Sequence, residues 1–379
     1  AFLQPGNYFE AGISVLDPNV SGKARATSGN GTLSDMAGDY YFPSAALKIQ
    51  ATDHFSVGLI YDQPFGADAT YPLVGPGTGL FHANGEATAV DVTTQNLSLI
   101  LGYQPTENWN IYGGAAYQTI KGDVKLRGAA YGTTTAFGGY NANIDEDGAV
   151  GWLAGIAYQI PEIALKASLT YRSEIEHSVN IKESAIPSAS PVPSIINNPA
   201  LAGKPATGST DITTPQSVNL DLQTGIMANT VAFANVRWVN WKDFAIRPYA
   251  FGVASGVAGP SLGQPNGFDL IAYTDDQISA TVGVGRKLND KWAGNVSVGW
   301  DSGAGNPIST LGPTEGYWNV GLGAQFSPTP QTFIAGGVKY FWLGDAAAQP
   351  ASMFGTANAI ADFEDNHAIA YGLKMGYKF

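Results

Sequence analysis

The chain contains no cysteine, which excludes disulfide bridges, thiolate catalysis and cysteine-based metal sites. Charge is scarce: 13% of the 379 residues are Asp, Glu, Lys or Arg, against about 25% in an ordinary soluble domain. No run of ~18 uninterrupted apolar residues occurs, so helical membrane spans are excluded. No signal peptide is present, and export would require one already removed. Histidine occurs four times, at His54, His82, His177 and His367, with no metal-ligand spacing and no motif that pairs one with a serine nucleophile. His177 and Ser178 are neighbours and so fall on opposite faces of a strand. No cofactor is called for. The net charge of −12 argues against nucleic acid as a partner and says little else, since the acids are scattered and not gathered into a tail. Gly75-Pro76-Gly77-Thr78-Gly79 has the glycine count of a phosphate loop, yet Pro76 removes a donor and no helix follows, so it reads as an external loop.

What the chain does have is glycine, 47 residues, and alternation. From Asn366 to Phe379, the residues Ile369, Tyr371, Leu373, Met375, Tyr377 and Phe379 share one face of a strand, while Ala370, Gly372, Lys374, Gly376 and Lys378 share the other. The longest case runs from Ile163 to Ile181. There Leu165, Leu169, Tyr171, Ile175, Val179 and Ile181 oppose Lys166, Thr170, Arg172, Glu174 and Glu176. The pattern recurs at Leu97 to Tyr103, Val150 to Tyr158, Ile278 to Val284 and Trp318 to Phe326. The interleaved residues are mostly Gly, Ser, Asn, Gln and Thr, which suits a polar lumen and not a soluble surface rich in Lys and Glu. The fold class is therefore all-β, a transmembrane antiparallel β-barrel.

The connections carry a second signal. Short links at 51–53, 105–108, 161–162, 228–230, 288–291 and 327–331 alternate with long ones at 17–39, 62–92, 128–147, 183–209, 245–274, 301–314 and 344–365. Seven long and six short links give about fourteen strands, with short turns on the periplasmic side and long loops outside. Phe55, Tyr103, Trp109, Tyr158, Trp292, Phe326 and Phe333 cluster beside the short turns, where amphipathic rings form an interfacial girdle. Strand 9, around Val231 to Phe244, alternates poorly.

Several segments resemble the FadL family of Gram-negative outer-membrane transporters: Gly151-Trp152-Leu153-Ala154-Gly155-Ile156-Ala157-Tyr158, Leu169-Thr170-Tyr171-Arg172-Ser173-Glu174, Asp17-Pro18-Asn19-Val20, Gln95-Asn96-Leu97-Ser98-Leu99, Trp238-Val239-Asn240-Trp241-Lys242-Asp243-Phe244, Leu288-Asn289-Asp290-Lys291-Trp292 and Tyr317-Trp318. The resemblance covers nearly the whole chain. It implies a fourteen-stranded barrel that moves hydrophobic molecules passively, fatty acids in the main branch and aromatic hydrocarbons in another. It further implies a monomer in contact with outer-membrane lipid and lipopolysaccharide, and no enzymatic activity. Family members carry an amino-terminal plug with an Asn-Pro-Ala motif. Strand 1 here is read from near Tyr8, so the expectation is one barrel domain over residues 1–379 without that plug. Asn198-Pro199-Ala200 reads as a coincidence in an external loop. A general porin or structural barrel is the alternative, and an outer-membrane lipase or protease is disfavoured by the missing catalytic grouping.

A fatty acid needs an apolar path and a cation for its head. Strand 5 offers Lys121, Asp123, Lys125 and Arg127 on one face, opposite Ile120, Val124 and Leu126. The resemblance places the pocket arginine here, with Arg127 its best match and Lys125 and Lys121 beside it; the alternative is a solvated rim of the barrel. Arg172, Glu174 and Glu176 read as a lumenal ion-pair network. The family's head-group lysine has no counterpart near Phe268 and Asp269. The resemblance also places an inward kink and a lateral gap at Pro64, Phe65 and Gly66. Pro64 withholds a ladder donor and Gly66 permits an otherwise strained backbone, which gives a break there a local cause.

Overall fold

A computed structural model describes residues 1–73, 78–132, 137–186 and 194–379 of the chain. Fourteen antiparallel strands form the wall: β1 (Tyr8–Asn19), β2 (Tyr40–Gln50), β3 (Phe55–Asp62), β4 (Ala89–Tyr103), β5 (Trp109–Lys125), β6 (Tyr140–Ile160), β7 (Leu165–Arg172), β8 (Ser217–Met227), β9 (Thr230–Val239), β10 (Gln277–Lys287), β11 (Trp292–Asp301), β12 (Tyr317–Thr329), β13 (Thr332–Leu343) and β14 (His367–Lys378). Each pairs with the next, and β14 returns to β1 through twelve residue pairs from Tyr8↔Lys378 to Asn19↔His367. Closure gives every wall strand a partner on both sides, the condition for strands to cross a bilayer, and no described helix is long and apolar enough to do so. The Gly75-to-Gly77 part of the glycine-rich stretch lies outside the described residues.

Side chains sort as the alternation predicts. Leu97, Leu99, Leu101, Trp152, Leu169, Val282, Leu322, Val338 and Leu373 are exposed on the outer surface, while Ser98, Ser168, Asn319 and Leu153 on the other face are buried. At the short-turn end, Phe55 meets Tyr103 at 5.3 Å, Trp109 meets Tyr158 at 4.8 Å and Trp292 meets Phe326 at 4.9 Å, ring to ring across adjacent strands. Phe333 is the exception to the expected girdle. It lies on the inner face, stacks on Tyr8 at 6.4 Å and covers Gly376, because its parity on β13 is opposite to that of outward-facing Ile334.

The continuous strand expected from Ile163 to Ile181 is broken in three. β7 leaves the wall after Arg172; Ile175–Val179 pairs instead with Thr210–Thr214, and Ile181–Ala185 pairs with the outer end of β6. Val179 and Ile181 are therefore buried in the packed loops, Ile175 is buried in the lining of the lumen over Gly151, and none faces lipid. The sequence period survives the break because both surroundings are apolar, so alternation cannot distinguish them. The long loops fold into a cap with its own core, in which Tyr71 stacks on Phe81 at 4.0 Å and Phe137 packs on Phe251 and Phe268 at 5.0 and 5.4 Å. Helix α1 (Tyr249–Ala258) belongs to this cap. The Glu183 carboxylate accepts from the amides of Ala250 and Phe251 at 2.7 and 2.8 Å, satisfying otherwise unpaired donors of its first turn.

Candidate functional site in the barrel lumen

β3 pairs with β4 as far as Asp62↔Asn96, and a further strand, Gly66–Thr70, resumes the pairing at Gly66↔Thr93. Gln63, Pro64 and Phe65 thus stand opposite only Gln95 and Thr94, a one-residue bulge. Thr94 repairs the ladder where Pro64 has no N–H: the Phe65 amide donates to Thr94 Oγ1 at 2.9 Å, and that hydroxyl donates to the Phe65 carbonyl at 2.7 Å. The other edge is not repaired. The β2–β3 ladder stops at Ala45↔Tyr61, although β2 stays paired with β1 up to Tyr40. Backbone contact resumes beyond, where the Gly38 amide donates to the Asp68 carbonyl at 3.0 Å.

Inside this interruption Phe65 turns into the lumen and meets Trp241 edge-on at 5.5 Å. Trp241 in turn meets Phe244 at 5.1 Å and Tyr273 at 5.2 Å, and its indole donates to Gln277 Oε1 at 2.8 Å. Burial pushes the Tyr273 phenol up to about 12, so this face is uncharged throughout the physiological range. Below it lies a cavity of about 180 Å³ lined by Asp62, Pro64, Phe65, Asn96, Gln118, Arg172, Asn219 and Arg237. Asp62 Oδ1, Asn219 Oδ1 and Arg237 Nε are buried there with no hydrogen-bond partner among the described residues. Buried polar atoms are rarely left so, and three around one small space mark a place for a polar group. Arg172 donates to Ser98 Oγ at 3.1 Å and is close enough to Arg237 to act on it electrostatically; neither has a carboxylate within ion-pair distance among the described residues.

The cations expected on β5 are elsewhere. Tyr117 faces outward, so Lys121, Asp123 and Lys125 of the same parity lie exposed on the outer surface, while Ile120, Val124 and Leu126 enter the cap core. Arg127 is buried, and its guanidinium donates to Glu86 Oε2 at 2.9 Å, to the carbonyls of Leu126 and Tyr140 at 2.9 Å each, and to Asn141 Oδ1 at 2.6 Å. It ties loops together and does not reach the lumen cavity. Glu174 and Glu176 are exposed and leave Arg172 without the expected ion-pair network. Pro64, Phe65 and Gly66 do sit at the strand break. Arg237 and Trp241 were hidden by the poor alternation of strand 9. The signal that could have found Arg237 is an arginine between two apolar residues, Val236 and Trp238, at a lumenal parity.

The chain's first residues also enter the lumen. Phe2 is buried against Tyr112 at 5.6 Å, with Ile100, Leu153 and Ala157 around it. Lys48 Nζ donates to the Gln4 carbonyl at 2.6 Å and Lys166 Nζ to the Leu3 carbonyl at 3.2 Å.

Residues 2–379 match the family described as outer membrane protein transport protein (OMPP1/FadL/TodX). Among solved structures, the barrel is similar to a FadL homologue of Pseudomonas aeruginosa, with a TM-score of 0.68 and 14% identity over 99% of this chain and 91% of that one. It is also similar to the Pseudomonas putida toluene transporter TodX, at 0.64 and 13% over 100% and 91%. The Ralstonia pickettii toluene transporter TbuX gives 0.57 and 10% over 100% and 90%. No curated protein matches the chain.

Proposed function

Because the chain belongs to this outer-membrane transport family, whose members are channels for hydrophobic compounds and not enzymes, we propose that its cargo is a hydrophobic molecule ending in a carboxylate, most simply a long-chain fatty acid. The observation that carries this is a cavity in which two guanidinium groups with no ion-pair partner among the described residues, Arg172 and Arg237, outnumber the one carboxylate, Asp62, and meet Phe65, whose ring continues through Trp241 to Phe244 and Tyr273. A carboxylate there gains charge-assisted hydrogen bonds, and the tail lies on the rings. The carried molecule leaves sideways through the unpaired stretch between β2 and the Pro64 bulge, where no ladder hydrogen bond has to break. Aromatic hydrocarbon is the second reading, favoured by the ring cluster alone. On the outer surface Lys121 and Lys125 face the head groups and phosphates of outer-membrane lipid and lipopolysaccharide, around a barrel that works as a monomer.

Binding of a fatty acid and of a neutral aromatic of similar size tests the assignment. Arg237→Gln and Arg172→Gln should each weaken fatty acid binding by roughly tenfold or more, the worth of a charge-assisted hydrogen bond, and leave the aromatic nearly unchanged. Arg127→Ala should affect both solutes alike, since that side chain holds loops. Equal losses at Arg237 and Arg172 for both solutes would sink the carboxylate reading in favour of the aromatic one.

A further inference from the structure

The lumen is not filled evenly. Followed through the hydrogen-bonded register, one inward-facing row runs Gly285, Asn295, Gly323, Gly337, Gly372 and Ser14 across β10, β11, β12, β13, β14 and β1. No side chain in it is longer than asparagine, so at this level the wall projects little toward the barrel axis. A cavity of about 620 Å³ lies against it and shares Asn295 and Gln325 with a second, of about 920 Å³, that opens among the short turns at Pro161–Ala164 and Met227–Asn229. The opposite wall is closed at the same end by Phe2, Tyr112 and Leu153, all buried.

We propose that this half of the lumen is a water-filled conduit for small hydrated anions, running from mid-barrel to the periplasmic mouth and separate from the aromatic face. Backbone, serine and amide groups along this row let a solute keep its hydration, while the large apolar side chains of the two cavities, Phe42, Phe341 and Phe233, lie outside it. The charges of these cavities whose side chains have lumenal parity are Lys339, Lys374 and Lys287 against Glu10, with Glu162 at the turn; Arg286 has the parity of outward Val284 and donates to Thr230 at 3.1 Å. Glu10 is already engaged by Lys374 at 3.4 Å, while Lys339 is exposed to the lumen with no ion pair among the described residues. An excess of cations in a narrow polar passage raises the local concentration of anions.

The absence of native cysteine makes the test direct. Single-cysteine variants Ala335→Cys, which lines the first cavity, and Gly285→Cys, where an added Cβ meets nothing nearer than 3.5 Å, are compared with Ile100→Cys beneath Phe2. The full chain is placed in lipid vesicles, folding is verified by the heat-dependent shift on gels, and thiol-specific reagents of equal size and opposite charge are applied. Ala335→Cys and Gly285→Cys should react roughly tenfold faster with the anionic reagent at low salt. High salt should erase that preference, and Ile100→Cys should stay unlabelled. Equal rates for the two reagents at low salt, or protection of both conduit cysteines as complete as that of Ile100→Cys, would overturn the proposal.

Discussion

A methyl group added at Gly58 or Gly102, on β3 and β4, would lie 2.5 or 2.8 Å from the Phe2 ring, and one added at Gly155 on β6 would run into the Tyr112 ring. On the far wall, a methyl added at Gly285 finds nothing nearer than 3.5 Å, and at Gly337 nothing nearer than a backbone oxygen at 3.3 Å. Both walls are rich in inward glycine, yet at Gly58, Gly102 and Gly155 the missing side chains are sockets for aromatic rings, whereas at Gly285 and Gly337 they are left as open width; the far wall has sockets of its own at Gly283, against the Phe233 ring, and at Gly376, under Phe333. Composition alone does not tell these uses apart. What decides is whether a large inward residue is registered beside the glycines: Tyr112 pairs with Gly155 and with Gly102, whereas Gly323 pairs with Gly337 and Asn295.

The largest effect should appear where the comparison vanishes. If the two halves differ only inside, arginine on the lipid face should be equally harmful to both. Leu169→Arg on β7 and Leu322→Arg on β12 replace side chains that are 47% and 67% exposed on the outer surface. Each should cost about 2–4 kcal/mol at mid-membrane depth, measured by denaturant unfolding in lipid. A cost at one site and none at the other would mean that the outer wall, and not only the lumen, is asymmetric.

A smaller effect sharpens the difference itself. Gly155→Ala forces the Tyr112 ring aside and should destabilise by roughly 1–3 kcal/mol, as overpacking does. Gly285→Ala meets open space and should be neutral or slightly stabilising, by no more than about 1 kcal/mol, since alanine restricts the unfolded chain. Equal destabilisation by both would remove the distinction between sockets and open width.

Much of the barrel was legible in the sequence because a membrane wall imposes one rule on every strand. Period-two alternation and the long-short order of links follow from lipid outside and a polar lumen inside, and the fourteen strands and their faces came from that rule. The rule ends where lipid ends. Val179 and Ile181 keep the parity of Leu169 but turn into the cap, and Lys121 and Lys125 keep the parity of Tyr117 but lie beyond the apolar band. The strand break was legible because Pro64 has a local reason to interrupt a ladder. Arg237 and Trp241 were not, since their role depends on what β3 brings across the lumen from more than a hundred residues away.

The smallest effect concerns the outer end of the open half, in the 302–316 loop between β11 and β12. Burial, reinforced by the nearby charges of Asp275 and Asp301 and partly offset by the Gly305 amide, raises the Glu315 carboxyl to about 7 from an ordinary 4.5. The folded protein therefore holds this proton more tightly than the unfolded chain does, and protonation favours folding. The stabilisation from Glu315 is complete below about pH 4.5 and is lost as pH rises toward and through 7. Partial exposure of the group keeps the change modest. Thermal unfolding between those limits should show the melting temperature falling with rising pH, and Glu315→Gln, which cannot ionise, should flatten that part of the profile. The Gly155→Ala variant, changed on the filled half, should keep the wild-type slope at a lower melting temperature. A Glu315→Gln profile as steep as wild type would show that the pH response arises elsewhere in the barrel.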